Sequence, residues 1–117
     1  MPKIYIAGKI TGFERTVYMA KFLKVQRMLE SQGNLVMNPA YVNATDGFEH
    51  EEYLHVCYAM LDVCDAIYML RDWQTSMGAR MELQYAADHQ KEILYEDEAT
   101  REENFPIIYG HPKKAGA

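Results

Sequence analysis

Residues 64–86 read Cys-Asp-Ala-Ile-Tyr-Met-Leu-Arg-Asp-Trp-Gln-Thr-Ser-Met-Gly-Ala-Arg-Met-Glu-Leu-Gln-Tyr-Ala. The apolar run from Ala66 to Leu70 has the length of a buried strand, and Arg71 to Thr75 reads as a loop. Ser76 then opens a helix whose first turns carry Gly78 and Glu82. In an α/β sheet, small-molecule sites form where strands end and helices begin. A helix N-terminus offers unpaired N–H groups to an anion. Glu82, about six residues further on, can face the same crevice. The stretch therefore sets an anion-binding element and a carboxylate within reach of one ligand.

Outward from this stretch the same alternation repeats. Lys3 to Ala7 is a short apolar strand ending at Gly8, and Gly8 and Gly12 bracket a loop. From Glu14 to Ser31, Tyr18, Phe22, Val25 and Leu29 recur at helical spacing, and Gly33 supplies a stop. Asn34 to Met37 reads as a second strand. Pro39 and residues 43–47 read as a loop. Phe48 to Val63 reads as a helix with Tyr53, Cys57, Met60 and Cys64 on its buried stripe. The third helix is expected at Gly78 to His89 and the fourth strand at Glu92 to Tyr95. Strands alternating with helices predict an α/β fold. The expected architecture has three layers: a Rossmann-like or flavodoxin-like parallel sheet of four or five strands, with helices on both faces. Residues 96–103 are acidic and expected to be exposed. Asn104 to Tyr109 is apolar again, as an edge strand or an arm on another subunit, and residues 111–117 are expected to be loose.

Composition narrows the function classes. The chain has 117 residues, a net charge of −5 and 49% hydrophobic residues, which suits one domain with a real core. No basic run interleaved with aromatics suggests nucleic acid. No stretch has transmembrane length, and the N-terminus does not read as a signal peptide. Cys57 and Cys64 stand two helical turns apart, ~10 Å, too far for a disulfide, so reduced thiols in a cytoplasm are expected. His50 and His55, with Glu51 between them, point about 140° apart on a helix and do not form a zinc pair. No metal or cofactor is expected.

Individually, the candidate site residues have ordinary readings. The loop Gly8-Lys9-Ile10-Thr11-Gly12 is as readily a plain turn as a ligand loop, and its glycine spacing fits neither a dinucleotide fingerprint nor a P-loop. Ser76 alone reads first as a helix cap. A lone Glu82 would be solvated by default. Met81, Tyr85 and Ala86 around it argue for a buried position, where a carboxylate needs a reason.

Together, Ile4-Tyr5-Ile6-Ala7-Gly8, Asn38-Pro39, Cys64-Asp65, Trp73, Ser76-Met77-Gly78-Ala79 and Glu82 resemble the nucleoside 2-deoxyribosyltransferase-like superfamily, nearest a small branch common in phages and prophages. The match spans residues 3–95 in order. The resemblance implies a domain over residues 1–95, with residues 96–117 as its acidic loop and C-terminal arm. It implies an N-glycosidase or deoxyribosyltransferase acting on a nucleoside or deoxynucleotide. Glu82 would be the nucleophile at the anomeric carbon, with Tyr5 beside it. Gly8, Lys9, Ile10, Ser76 and Gly78 would hold sugar or phosphate. A carboxylate suits this role because it traps an oxocarbenium-like centre as a covalent intermediate. The superfamily's acid, an aspartate near the leaving base, falls at Cys57. A thiol with a reference pKa of about 8.5 is a poor substitute. Asp72 or Asp65 is then expected to assist the base, with Cys57 in the pocket wall. The alternative is a non-catalytic nucleotide-binding or sensing module on the same fold. The resemblance also implies a homo-oligomer, a dimer or larger.

Overall fold

The computed structural model describes residues 1–101. The elements in chain order are β1 (Lys3–Ala7), α1 (Arg15–Ser31), β2 (Leu35–Met37), α2 (Ala40–Asn43), α3 (His50–Asp62), β3 (Ala66–Met69), α4 (Met77–Asp88) and β4 (Glu92–Tyr95). Short 3-10 turns occupy Trp73–Thr75 and Glu98–Thr100. Among the described residues the sheet is four-stranded and wholly parallel, in the order β2-β1-β3-β4. The chain steps from β1 to β2 in one direction, then returns past β1 to β3 and β4. That reversal opens a crevice beyond the carboxyl ends of β1 and β3.

Side-chain alternation along β1 builds two cores. Ile4 and Ile6 pack beneath α1 against Phe22 and the rest of its apolar stripe. Tyr5 and Ala7 point to the other face, where Cys57, Leu61, Ala79, Leu83 and Ala86 of α3 and α4 cover them. Helices thus lie on both faces of the sheet. The α1 stripe is the expected one: Tyr18, Phe22, Val25 and Leu29 are all buried. Gly33, at φ +91°, ends that helix. Its N–H donates to the Glu30 carbonyl and that of Asn34 to the Leu29 carbonyl. This is the paired C-terminal bonding that favours a glycine.

Two expectations change, and the expected second strand is found at an edge of the sheet. Residues 40–43 form a helix instead of loop. Pro39 permits it, since a proline at a helix start removes only an N–H that has no helical partner, and the buried Asn38 accepts from the Ala40 N–H at 2.9 Å. In α3 the buried residues are Leu54, Cys57 and Leu61, so Tyr53 and Met60 flank the buried stripe. Finally, β2 is an edge strand with Leu35 and Met37 exposed. The arm and tail expected at residues 104–117 lie outside the described residues. No helix among the described residues is long and apolar enough to cross a membrane.

Candidate active site

Glu82 occupies a core position of α4, in the buried set Ala79, Glu82, Leu83 and Ala86. Burying a carboxylate is costly unless it is hydrogen-bonded. Here the Tyr5 hydroxyl, reaching across from β1, donates to Glu82 Oε2 at 2.9 Å. The Cys57 thiol on α3 joins the same cluster, in hydrogen-bonding contact with both Glu82 and Tyr5. Burial pushes the Glu82 carboxyl up to about 7, and the hydrogen bonds from Tyr5 and Cys57 offset only part of that rise. Burial, then the neighbouring Glu82 charge, raises the Cys57 thiol to about 12. The same causes hold the Tyr5 phenol well above its ordinary range. At neutral pH, phenol and thiol remain protonated donors around a carboxylate poised to ionise. Perturbed groups of this kind, facing a crevice, mark candidate sites of chemistry.

The cluster forms the floor of the crevice at the carboxyl ends of β1 and β3. Gly8, Ile10 and Thr11 form one wall, His50, Tyr53, Leu54 and Cys57 of α3 another, and Ser76, Gly78 and Ala79 a third, with Pro39 and Asn43 at the side. The cavity measures about 70 Å³, room for roughly five water molecules.

Of the residues expected in a site, Gly8, Ile10, Cys57, Ser76, Gly78 and Glu82 line the cavity, and Tyr5 is buried behind Glu82, bonded to it. Lys9, Asp65 and Asp72 neither line the cavity nor touch Glu82. Asp72 accepts from the Lys9 N–H at 3.0 Å and pairs with Lys21 Nζ at 2.5 Å, so its carboxylate pins the β1–α1 loop. Lys9 contributes backbone to that clamp, its carbonyl accepting from Lys21 at 2.7 Å. Asp65 precedes β3, at the opposite end of the strands, where it accepts from the Lys3 N–H at 2.9 Å. Neither aspartate stands beside the cluster, because each is spent on fixing a backbone segment.

The two glycines differ in kind. A Cβ on Gly8 would sit 2.5 Å from Leu70 Cδ1, so packing against Leu70, just past the end of β3, requires that glycine. A Cβ on Gly78 would meet only His50 Cε1, at 3.9 Å. Ser76 caps α4, its Oγ accepting from the Ala79 N–H at 3.1 Å. That is the ordinary reading, realised inside the crevice.

The sequence matches the family described as Domain of unknown function (DUF4406) over residues 2–95. The chain belongs to that family. No curated protein sequence matches it. Among solved structures, the DUF4406 domain is similar to a 2-desoxiribosyltransferase from Leishmania mexicana, with a TM-score of 0.63 and 25% identity. The match covers 81% of this chain, and the chain spans only 63% of that enzyme's length. The likeness extends to the α/β fold, a four-stranded parallel sheet with helices.

Among the polar residues that line this DUF4406 crevice, Asn43 and His50 carry no site signal in the sequence as read above. Asn43 ends α2, a helix too short for a periodic signal, and its side chain contacts Cys57. His50 enters the sequence analysis only beside His55, as half of a zinc pair that the helix does not form. A usable signal existed: His50 precedes Cys57 by seven residues, and two helical turns return to the same face.

Proposed function

We propose that this protein cleaves the N-glycosidic bond of a nucleoside or deoxynucleotide, as a hydrolase or a deoxyribosyltransferase. The observation that carries this reading is the buried Glu82 carboxylate, held by the Tyr5 hydroxyl at 2.9 Å in the crevice where the strand order reverses. The similarity to a 2-desoxiribosyltransferase supports the substrate class. Ionised Glu82 attacks the anomeric carbon, and the bond to the base breaks with its electron pair leaving on the base. A glycosyl ester of Glu82 results, which water or a second base resolves. Tyr5 orients the carboxylate and stabilises its charge. Ser76 and the first turn of α4 hold the sugar or its phosphate. The reaction needs no cofactor or metal. A cytoplasmic location, a homo-oligomeric assembly and a place in the phage-associated branch belong to the same proposal.

Incubation with deoxynucleosides and their 5′-monophosphates, with chromatography of the free base, tests it. Wild type should release base and Glu82→Gln should not. A mass increase of one deoxyribosyl unit on the wild type would identify the ester. One observation favours a second reading, a binding or sensing module. Cys57, not an aspartate, faces Glu82. Ligand-induced stabilisation without base release would select that module.

A further inference from the structure

A base leaving a sugar at neutral pH must gain a proton as the bond breaks, and a positioned acid supplies it. The crevice offers few donors. Cys57 holds its proton up to about 12, and Tyr5 holds its own well above the usual phenol range. Tyr53 directs its hydroxyl to the Thr45 carbonyl. Asp72 is tied to Lys21 and the Lys9 N–H, and Asp65 lies at the other end of the sheet.

His50 remains. It is the first residue of α3, exposed, and lines the crevice with Glu82. It lies two turns before Cys57 on the same helical face. Its ring approaches Gly78 across the cavity mouth, where a Cβ would come within 3.9 Å of Cε1. Among the described residues, no hydrogen bond engages the ring. An imidazole ring can pass on a proton in one step and take one back in the next, which suits a displacement in two halves.

We infer that His50 is the proton donor to the departing base, taking the role expected of the aspartate whose place Cys57 occupies. The inference rests on the glycosidic reading above. In the first half, the Glu82 carboxylate forms the bond to the anomeric carbon. The carbon–nitrogen bond breaks, its electron pair stays on the base, and the imidazolium N–H proton passes to that base. Neutral imidazole and a glycosyl ester remain. In the second half, imidazole takes a proton from water as the oxygen attacks the same carbon, freeing the Glu82 carboxylate and restoring the imidazolium.

The test compares wild type, His50→Gln and Glu82→Gln on three substrates. These are a 2′-deoxynucleoside, its 5′-monophosphate, and a 2-deoxyriboside of 4-nitrophenol, whose leaving group departs without a proton. In the single-turnover rate of leaving-group release, which reports the first half alone, His50→Gln should lose about a hundredfold or more on the nucleoside, the usual scale of general-acid catalysis. For the nitrophenyl substrate it should lose no more than a few-fold. Glu82→Gln should fail on all three. Equal losses on nucleoside and nitrophenyl substrates would overturn the donor role. So would a loss confined to the KM of the monophosphate, which would make His50 an anion holder. If wild type and Glu82→Gln behave as expected while His50→Gln matches wild type, the His50 inference alone falls. Absence of base release by the wild type overturns both readings.

Discussion

Glu82 couples stability and activity to pH in opposite senses. Its carboxyl is raised by burial from 4.5 to about 7. A raised acid binds its proton more tightly in the folded chain. Its favourable contribution is therefore complete below about 4.5 and is lost as pH rises toward 7 and beyond. Glu82→Gln keeps the shape and cannot ionise, so it should melt at a higher temperature than wild type above pH 7. The advantage should shrink to little below pH 4.5 and reach on the order of 3 kcal/mol at alkaline pH. Thermal melts of both proteins from pH 4 to 9 check this; a pH-independent difference would contradict it. The attacking form is the ionised one, so on the nitrophenyl substrate, whose leaving group needs no donated proton, kcat/KM should rise with pH through about 7. Tyr5 donates to the charged form and lowers the Glu82 value. Tyr5→Phe should move the rising limb of the profile to higher pH and reduce its plateau. A profile unmoved by Tyr5→Phe would remove the phenol from the ionisation of Glu82.

At the scale of elements, the β1–α1 loop is fixed by packing and charge, and each is separately testable. Gly8→Ala drives a methyl group into Leu70, a contact of 2.5 Å to Cδ1, and should cost about 1–3 kcal/mol. Gly78→Ala has open space and a helical setting, so its effect should lie between neutral and about 1 kcal/mol stabilising. Denaturant titration distinguishes them, and equal costs would show that Gly8 is not a packing glycine. Asp72→Asn breaks the Lys21 pair and should lower stability by about 1–3 kcal/mol. Were Asp72 the acid, its loss would appear as a kcat defect with little change in melting temperature. The sequence named Asp72 for chemistry because a loop aspartate after a strand can serve either purpose. Only the partner, 51 residues away at Lys21, decides. Helices were legible to different depths for a similar reason. In α1, polar residues separate the four buried positions, so periodicity names the stripe. In α3, residues 56–61 are Val-Cys-Tyr-Ala-Met-Leu, apolar all round. Periodicity then finds the helix and sets Cys57 on its buried face, but it puts Tyr53 and Met60 where Leu54 and Leu61 lie.

For the whole molecule, the strand order locates the crevice, and the outer surface of α2 and α3 is where the proposed assembly can be tested. The sheet pattern was readable because alternating strands and helices leave few allowed topologies. The outer surface was not, since exposure depends on what each helix packs against. Tyr41, Phe48 and Val56 are exposed by 55%, 56% and 44%. Val56 and Phe48 border an apolar hollow with Val42 and Tyr53, rimmed by Glu51, Glu52 and His55. An apolar patch rimmed by polar groups is the usual form of a protein contact. A two-fold contact would set this patch against itself in a second copy. Light scattering at high micromolar concentration should therefore report a dimer or larger for the wild type. Val56→Glu points outward, so it should leave the circular dichroism and the Tyr5–Glu82 cluster intact. Two carboxylates facing each other across the two-fold contact should then reduce the mass toward that of the monomer, 13.6 kDa. A wild type that is monomeric throughout would remove the homo-oligomer. A Val56→Glu protein that still assembles would move the contact to another face.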